Sequence, residues 1–201
     1  MSMTGARPFR DKAEISDLLD NVHGRYARRD TAMIVLAKRT ALRISELLSL
    51  TIGDVYDGHA FRESVQIKRR NMKGKREGRR LPLHREGKLA VAKWMVELRR
   101  GGVSLDADRP LFVSRQGGGR KAIGRKMAYK IITTAADRAG LPDGIGCHST
   151  RKYAAQEVYR LSGNCLIRTA AVLGHRGGVA TTWRYIRGIA TGAESLLLAI
   201  D

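Results

Sequence analysis

The chain has 201 residues, 43% of them hydrophobic and 28% charged, the balance of a globular domain long enough to bury a sizeable core. Lys and Arg number 38 against 19 Asp and Glu, a net charge of +19, so the expected partner is a polyanion, nucleic acid ahead of an anionic membrane. No apolar run approaches the roughly 18–20 residues that span a bilayer, and Met1–Arg10 lacks a signal-peptide apolar region, which together predict a cytoplasmic protein without membrane contact.

Residues 1–10 read as a flexible tail. From Asp11 to about His23, Ile15, Leu18, Leu19 and Val22 recur at helical spacing, with Asp11 as the cap. A second helix over Asp30–Lys38 is apolar nearly all round, so it should be deeply buried. The segment Thr40–Leu50 follows, with Ile44, Leu47 and Leu48 on one face and Arg43 at the entrance. The period then shortens. Phe61, Val65 and Ile67 alternate across Ala60–Arg69 as a strand. Asn71–Gly78 is a turn, and Arg79–Leu83 resumes extended structure limited by Pro82. A helix over Glu86–Arg100 stops at Gly101-Gly102. Pro110–Ser114 is extended, Arg115–Lys121 is a Gly-rich basic loop, and a helix runs from Ile123 to Ala139, ended by Gly140. Short helices are expected over Thr150–Leu161, Cys165–Leu173, Ala180–Ile186 and Ala193–Ile200. The predicted fold class is mainly α with a small antiparallel β-sheet.

The chemistry concentrates late in the chain, in His148-Ser149-Thr150-Arg151, Leu173-Gly174-His175 and Thr181-Thr182-Trp183-Arg184-Tyr185. A phenol is a nucleophile toward phosphorus once a base or a strong positive field offsets its pKa of about 10. Guanidinium groups grip non-bridging phosphate oxygens in pairs, and a lysine serves as the acid for a departing oxygen. The two cysteines, Cys147 and Cys165, form no Cys-x-x-Cys pair, and no His-x-x-x-His pair carries a neighbouring carboxylate, so no metal is expected.

These segments resemble the catalytic domain of the tyrosine recombinases, the family of phage integrases and Xer proteins. Thr40-Ala41-Leu42-Arg43-Ile44-Ser45-Glu46-Leu47 is similar to the family's arginine segment, and Lys73-Gly74 before Leu81-Pro82-Leu83 to its hairpin lysine. His148 to Arg151 matches His-x-x-Arg, and Leu173-Gly174-His175 with Thr181-Thr182-Trp183-Arg184-Tyr185 matches the motif of the nucleophile. The resemblance covers about residues 11–190. It implies that Tyr185 attacks the scissile phosphate to give a 3′-phosphotyrosine, that Arg43 and Arg151 clamp the phosphate, and that Lys73 protonates the leaving oxygen, with Lys75 as the alternative. His148 would help proton transfer at the tyrosine and His175 would hydrogen-bond the phosphate. Glu46 either orients Arg43 or forms a simple surface ion pair. The covalent bond conserves the phosphodiester energy, so no ATP or other cofactor is implied.

The remaining cations divide into two strips expected on phosphate. Lys68, Arg69, Arg70, Lys75, Arg76, Arg79 and Arg80 flank the hairpin. Arg115, Arg120, Lys121, Arg125, Lys126 and Lys130 run from the Gly-rich loop into the next helix. Three positions depart from the family pattern. Ala41 stands where glycine is common, Lys152 where histidine often follows the arginine, and His175 is ten steps from Tyr185 rather than nine, with Gly177-Gly178 absorbing the difference. Roughly thirty residues precede the helix leading to Arg43, so the chain reads as a catalytic domain alone, similar to the small fimbrial-switch recombinases. The tail 191–201 is a helix that docks in cis or on a neighbouring protomer. The expectation is a site-specific recombinase acting on double-stranded DNA, a monomer in solution and a homotetramer on synapsed sites. A type IB topoisomerase and a catalytically silent DNA-binding accessory protein are the alternatives.

Overall fold

The structure, a computed structural model, describes residues 5–67, 79–175 and 179–186. In chain order these form helices α1 (Lys12–Asp20), α2 (Ala27–Thr40) and α3 (Ile44–Leu48), strands β1 (Ser64–Ile67) and β2 (Arg79–Pro82), then α4 (Arg85–Arg100), α5 (Arg125–Arg138), α6 (Ser149–Leu161), α7 (Leu166–Leu173) and α8 (Val179–Ile186). The mainly helical fold with one small antiparallel sheet is the class the sequence predicts.

α2 is the central element. Every residue from Ala32 to Ala37 is buried. A helix apolar on all sides must be covered on all sides, and α3, α4, α5 and α6 pack around it. It starts three residues before the predicted Asp30. The reason is an ion pair inside the protein: Arg29 Nε donates to Asp30 Oδ1 at 2.8 Å, Arg29 Nη1 donates to the Val113 carbonyl at 2.9 Å, and the guanidinium lies 4.6 Å from the Tyr26 ring centre. Two polar residues that look like a helix exterior are thus part of its packing. Segment 110–113 is held from the other side by Trp94 Nε1, which donates to the Leu111 carbonyl at 2.8 Å. That segment makes isolated bridges, Thr51 with Pro110 and Val113 with Ala122.

β1 and β2 pair antiparallel, Ser64 opposite Pro82 and Ile67 opposite Arg79. Val65, Ile67 and Leu81 face the core. Pro82, which has no N–H to donate, is the last residue of β2, and Leu83 beyond it still donates to the Glu63 carbonyl at 2.9 Å. The turn that joins the strands lies outside the described residues, and with it Lys73, Lys68, Arg69, Arg70, Lys75 and Arg76. So do residues 187–201, including the predicted helix 193–200.

The N-terminal segment corrects one expectation. Residues 5–10, read as part of a flexible tail, are tied down. Phe9 is 0% exposed, a burial that stabilises by roughly 1.5–3 kcal/mol. Arg7 N–H donates to the Gly144 carbonyl at 2.8 Å, and its guanidinium reaches the carbonyls of Pro142 and Asp143 and, at 2.9 Å, the Glu14 carboxylate. Burial alone would raise the Glu14 carboxyl, but the hydrogen bonds from Arg7 and Arg10 outweigh it and bring its pKa down to about 2. A single aromatic anchor has no periodicity, which is why the segment reads as loose.

A second, smaller apolar cluster sits apart from the main core: Ala41, Ala154, Ala155, Leu173 and Ile186, with Tyr159, Leu166 and Tyr185 against it. It joins the end of α2 to α6, α7 and α8, and it seats the site.

Candidate active site

α2 ends at Ala41 in the left-handed region, with φ +51. That turn delivers Arg43 to the N-cap of α3. Glu46, at the third position of α3, reaches back: its Oε2 accepts from the Arg43 N–H at 2.9 Å and its Oε1 accepts from Arg43 Nη1 at 2.8 Å. Glu46 is 1% exposed. Of the two readings open in the sequence, it is the orienting carboxylate and not a surface ion pair. One side chain satisfies an orphan helix donor and fixes a guanidinium.

Arg151, in the first turn of α6, is 0% exposed. Among the described residues no carboxylate meets it in a hydrogen bond. Its Nη1 donates to the Ala41 carbonyl, its Nη2 donates to the Leu173 carbonyl at 2.8 Å, and Nη2 lies 3.0 Å from His175 Nε2. Among the described residues its Nε is buried without a hydrogen-bond partner. Burial, reinforced by Arg43, lowers its pKa to about 10, with Tyr185 and Glu46 opposing. The group therefore stays charged at neutral pH in a place where a bare cation is costly.

His175 follows Gly174, which ends α7 at φ +64. A guanidinium only donates. His175 Nε2 must therefore accept from Arg151, which puts the ring proton on Nδ1, where it is donated to Thr182 Oγ1 at 3.0 Å. Burial first, then Arg151, Arg43 and Arg79, push the His175 pKa down to about 4. The ring is neutral at pH 7. His148 caps α6 three residues before Arg151. Burial, then Arg151, Lys152 and Arg43, lower its pKa as well.

Tyr185 stands half-buried on α8. Its ring centre is 5.2 Å from that of His175, at an interplanar angle of 59°, and 5.8 Å from Arg151 Cζ. α8 is anchored by Ile186 and Thr182, both fully buried. Arg43, His148, Arg151, His175 and Tyr185 are thus brought together from four separated segments. Lys73 lies outside the described residues. A cleft of about 800 Å³ behind the Ala41 turn, lined by Ile15, Leu19, Leu83, Tyr153 and Leu161 among others, includes none of these five.

Arg80, Arg115, Arg120, Lys121, Arg125 and Lys126 are exposed, as phosphate-contacting cations need to be. Arg79 is not, and its head group lies inside. Two further participants have no signature in the sequence, the carbonyls of Ala41 and Leu173, and a third, Thr182, lies in the motif of Tyr185 without a role assigned to it there. Thr182 precedes Tyr185 by three residues, so helical spacing places it on the same side of α8. Among the described residues no group of three His, Cys, Asp or Glu is arranged to hold a metal ion, and no helix is long and apolar enough to cross a membrane.

The geometry is that of two guanidiniums and two imidazoles gathered with a phenol at their edge, on a mainly helical domain. The family model described as "Phage integrase family" matches residues 9–189, and the chain belongs to that family. Tyrosine recombinase XerD of Corynebacterium glutamicum is 29% identical over 157 residues, covering 78% of this chain and 47% of the relative. A XerH site-specific recombinase solved on palindromic difH substrate as a post-cleavage complex superposes with a TM-score of 0.69 at 22% identity, covering 94% of this chain and 51% of that one. The catalytic domain of bacteriophage HP1 integrase gives 0.58 at 19% identity, covering 96% of this chain and 94% of that one. The fold is that of a tyrosine-recombinase catalytic domain. The chain spans about half the length of the curated relatives it matches.

Proposed function

We propose that this chain cleaves and rejoins DNA in site-specific recombination, with Tyr185 as the nucleophile. The observation that carries the reading is the buried, carbonyl-held Arg151 hydrogen-bonded to His175, whose ring packs at a tilt against that of Tyr185. Arg151 and the Glu46-oriented Arg43 clamp the scissile phosphate and offset the charge that builds on its oxygens. His148, neutral at pH 7, accepts the phenol proton. The Tyr185 oxygen then bonds to phosphorus and the bond from phosphorus to the 5′ oxygen breaks. Lys73 supplies the proton for that oxygen, leaving a 3′-phosphotyrosine and a free 5′-hydroxyl. The reverse step, with a different 5′-hydroxyl as nucleophile, rejoins the strand. DNA as the partner is supported by the net charge of +19 and by the substrate-bound XerH neighbour. Exchange between two sites requires four active protomers, so the working form is a homotetramer on synapsed DNA, acting in the cytoplasm.

The test is a nicked suicide duplex carrying the recombination site. The wild-type chain should trap as a covalent complex, and Tyr185→Phe should bind the duplex with no trapped product. Equal trapping by the two proteins would overturn the assignment of Tyr185.

A further inference from the structure

Arg79 opens β2 and belongs by sequence to a strip of surface cations, yet its side chain is only 13% exposed. Its Nη1 donates to the Val172 carbonyl at 2.7 Å, and its Nη2 lies 3.9 Å from Glu46 Oε2. Among the described residues Nε and Nη2 are buried without a hydrogen-bond partner. The guanidinium also rests on the turn that presents His175: a Cβ built at Gly174 would stand 2.7 Å from Arg79 Nη1. Gly174 therefore answers two demands at once, a left-handed backbone and room for Arg79.

The plain alternative is a helix cap. The last carbonyls of α7 need donors, and Arg79 serves one of them. A cap does not account for the rest. One carbonyl occupies one of five guanidinium donors, and burying Nε and Nη2 without hydrogen bonds costs several kcal/mol. A lysine or asparagine would cap at lower cost. What a planar fork adds is reach to two places, here the α7 terminus and the carboxylate that orients Arg43.

We propose that Arg79 is a positioning residue for the strand-cleavage site, fixing the His175 turn and the Glu46–Arg43 pair to the β1–β2 hairpin. The inference rests on the function proposed above. Through it the paired strands β1 and β2 are held to the two elements that present Arg43 and His175. Arg79 acts on those groups and does not itself touch the phosphate.

The experiment compares Arg79→Lys and Arg79→Met with wild type. Three quantities are measured: DNA affinity, the single-turnover rate of covalent trapping at saturating DNA, and the NMR titration of the His175 imidazole. The charged and hydrogen-bonding groups facing that ring are Arg43, Arg79, Arg151, Glu46, Tyr185 and Thr182, so removal of one cation is readable there. Lys keeps the charge but lacks the planar fork whose two nitrogens face the two partners. It should hold affinity within about twofold and lower the saturated rate by about 10²-fold. Met should lower the rate similarly and move the His175 titration upward. Should Met fail to fold, Lys carries the test. Weakened affinity with an unchanged saturated rate would overturn the proposal and make Arg79 an ordinary phosphate contact. So would an unmoved His175 titration in folded Arg79→Met. If wild type itself traps no DNA, the proposed function fails separately, and the imidazole titration still decides on Arg79.

Discussion

Arg151 carries a full charge where water does not reach, and backbone carbonyls hold it. That choice has a consequence. A carboxylate partner would neutralise it, whereas carbonyls leave it cationic, as the proposed clamp on a phosphate requires. The same logic runs through His175. Arg151 forces Nε2 to accept, so Thr182 must take the Nδ1 proton. Thr182→Val keeps the shape and removes the acceptor. It should cost about 1–3 kcal/mol, lower the trapping rate, and free the tautomer, which a ¹⁵N spectrum of the ring reads directly. The His175 pKa, about 4 against 6.5 in the unfolded chain, also makes stability depend on pH. Above 6.5 both states are neutral and the stability is fully present. As pH falls below 6.5 the unfolded chain takes up the proton first, and stability declines by roughly 3 kcal/mol by the time pH passes 4. His148 adds in the same direction. Thermal melts between pH 7 and 4 should show this decline, and His175→Gln should flatten it. The Glu14 carboxyl acts in a lower window. Its stabilisation is present above its unfolded value of 4.5 and is lost as pH falls through about 2.

Elements were legible where a pattern repeats and obscure where one contact decides. The all-apolar face of α2, the alternation of β1 and the glycine stops of α4 and α5 carry their own signals. So did the identities of Arg43, His148, Arg151, His175 and Tyr185, because each sits in a short motif. Their partners were not legible. The carbonyls of Ala41 and Leu173 have no residue signature, Arg79 looks like every neighbouring arginine, and Phe9 is a lone anchor. α8 shows what a small contact set does. It packs on α6 and α7 through Ile186 and Thr182, away from the main core. Ile186→Ala removes a buried side chain at a cost of about 2–5 kcal/mol. Because the cluster is small, the loss should appear as faster amide exchange across α8 and lost trapping, with the melting of the main core little changed. Ala41 offers the opposite case. Its left-handed φ costs roughly 1–2 kcal/mol, but its methyl group is buried in the same cluster, worth about 0.8 kcal/mol. Ala41→Gly should therefore shift stability by less than about 1 kcal/mol, which a denaturant titration resolves.

At the scale of the molecule, the proposed function divides the work between surface charge and the site. The site itself is small, and the exposed cations of the 115–121 loop and α5 are spread along the surface. Such cations hold a polyanion without reading it. Each phosphate contact contributes about 0.9 to the slope of log affinity against log salt. Replacing Lys121 or Arg125 with Ala should lower that slope by about one and leave the saturated trapping rate unchanged. The central claim is narrower: one phenol among six tyrosines makes the covalent bond. Mass mapping of the trapped, nuclease-trimmed complex tests it directly. The account predicts a single nucleotide-bearing peptide, modified at Tyr185 through a 3′-phosphate, with a free 5′-hydroxyl on the released strand. A 5′-linked adduct, or one on any other residue, would contradict it.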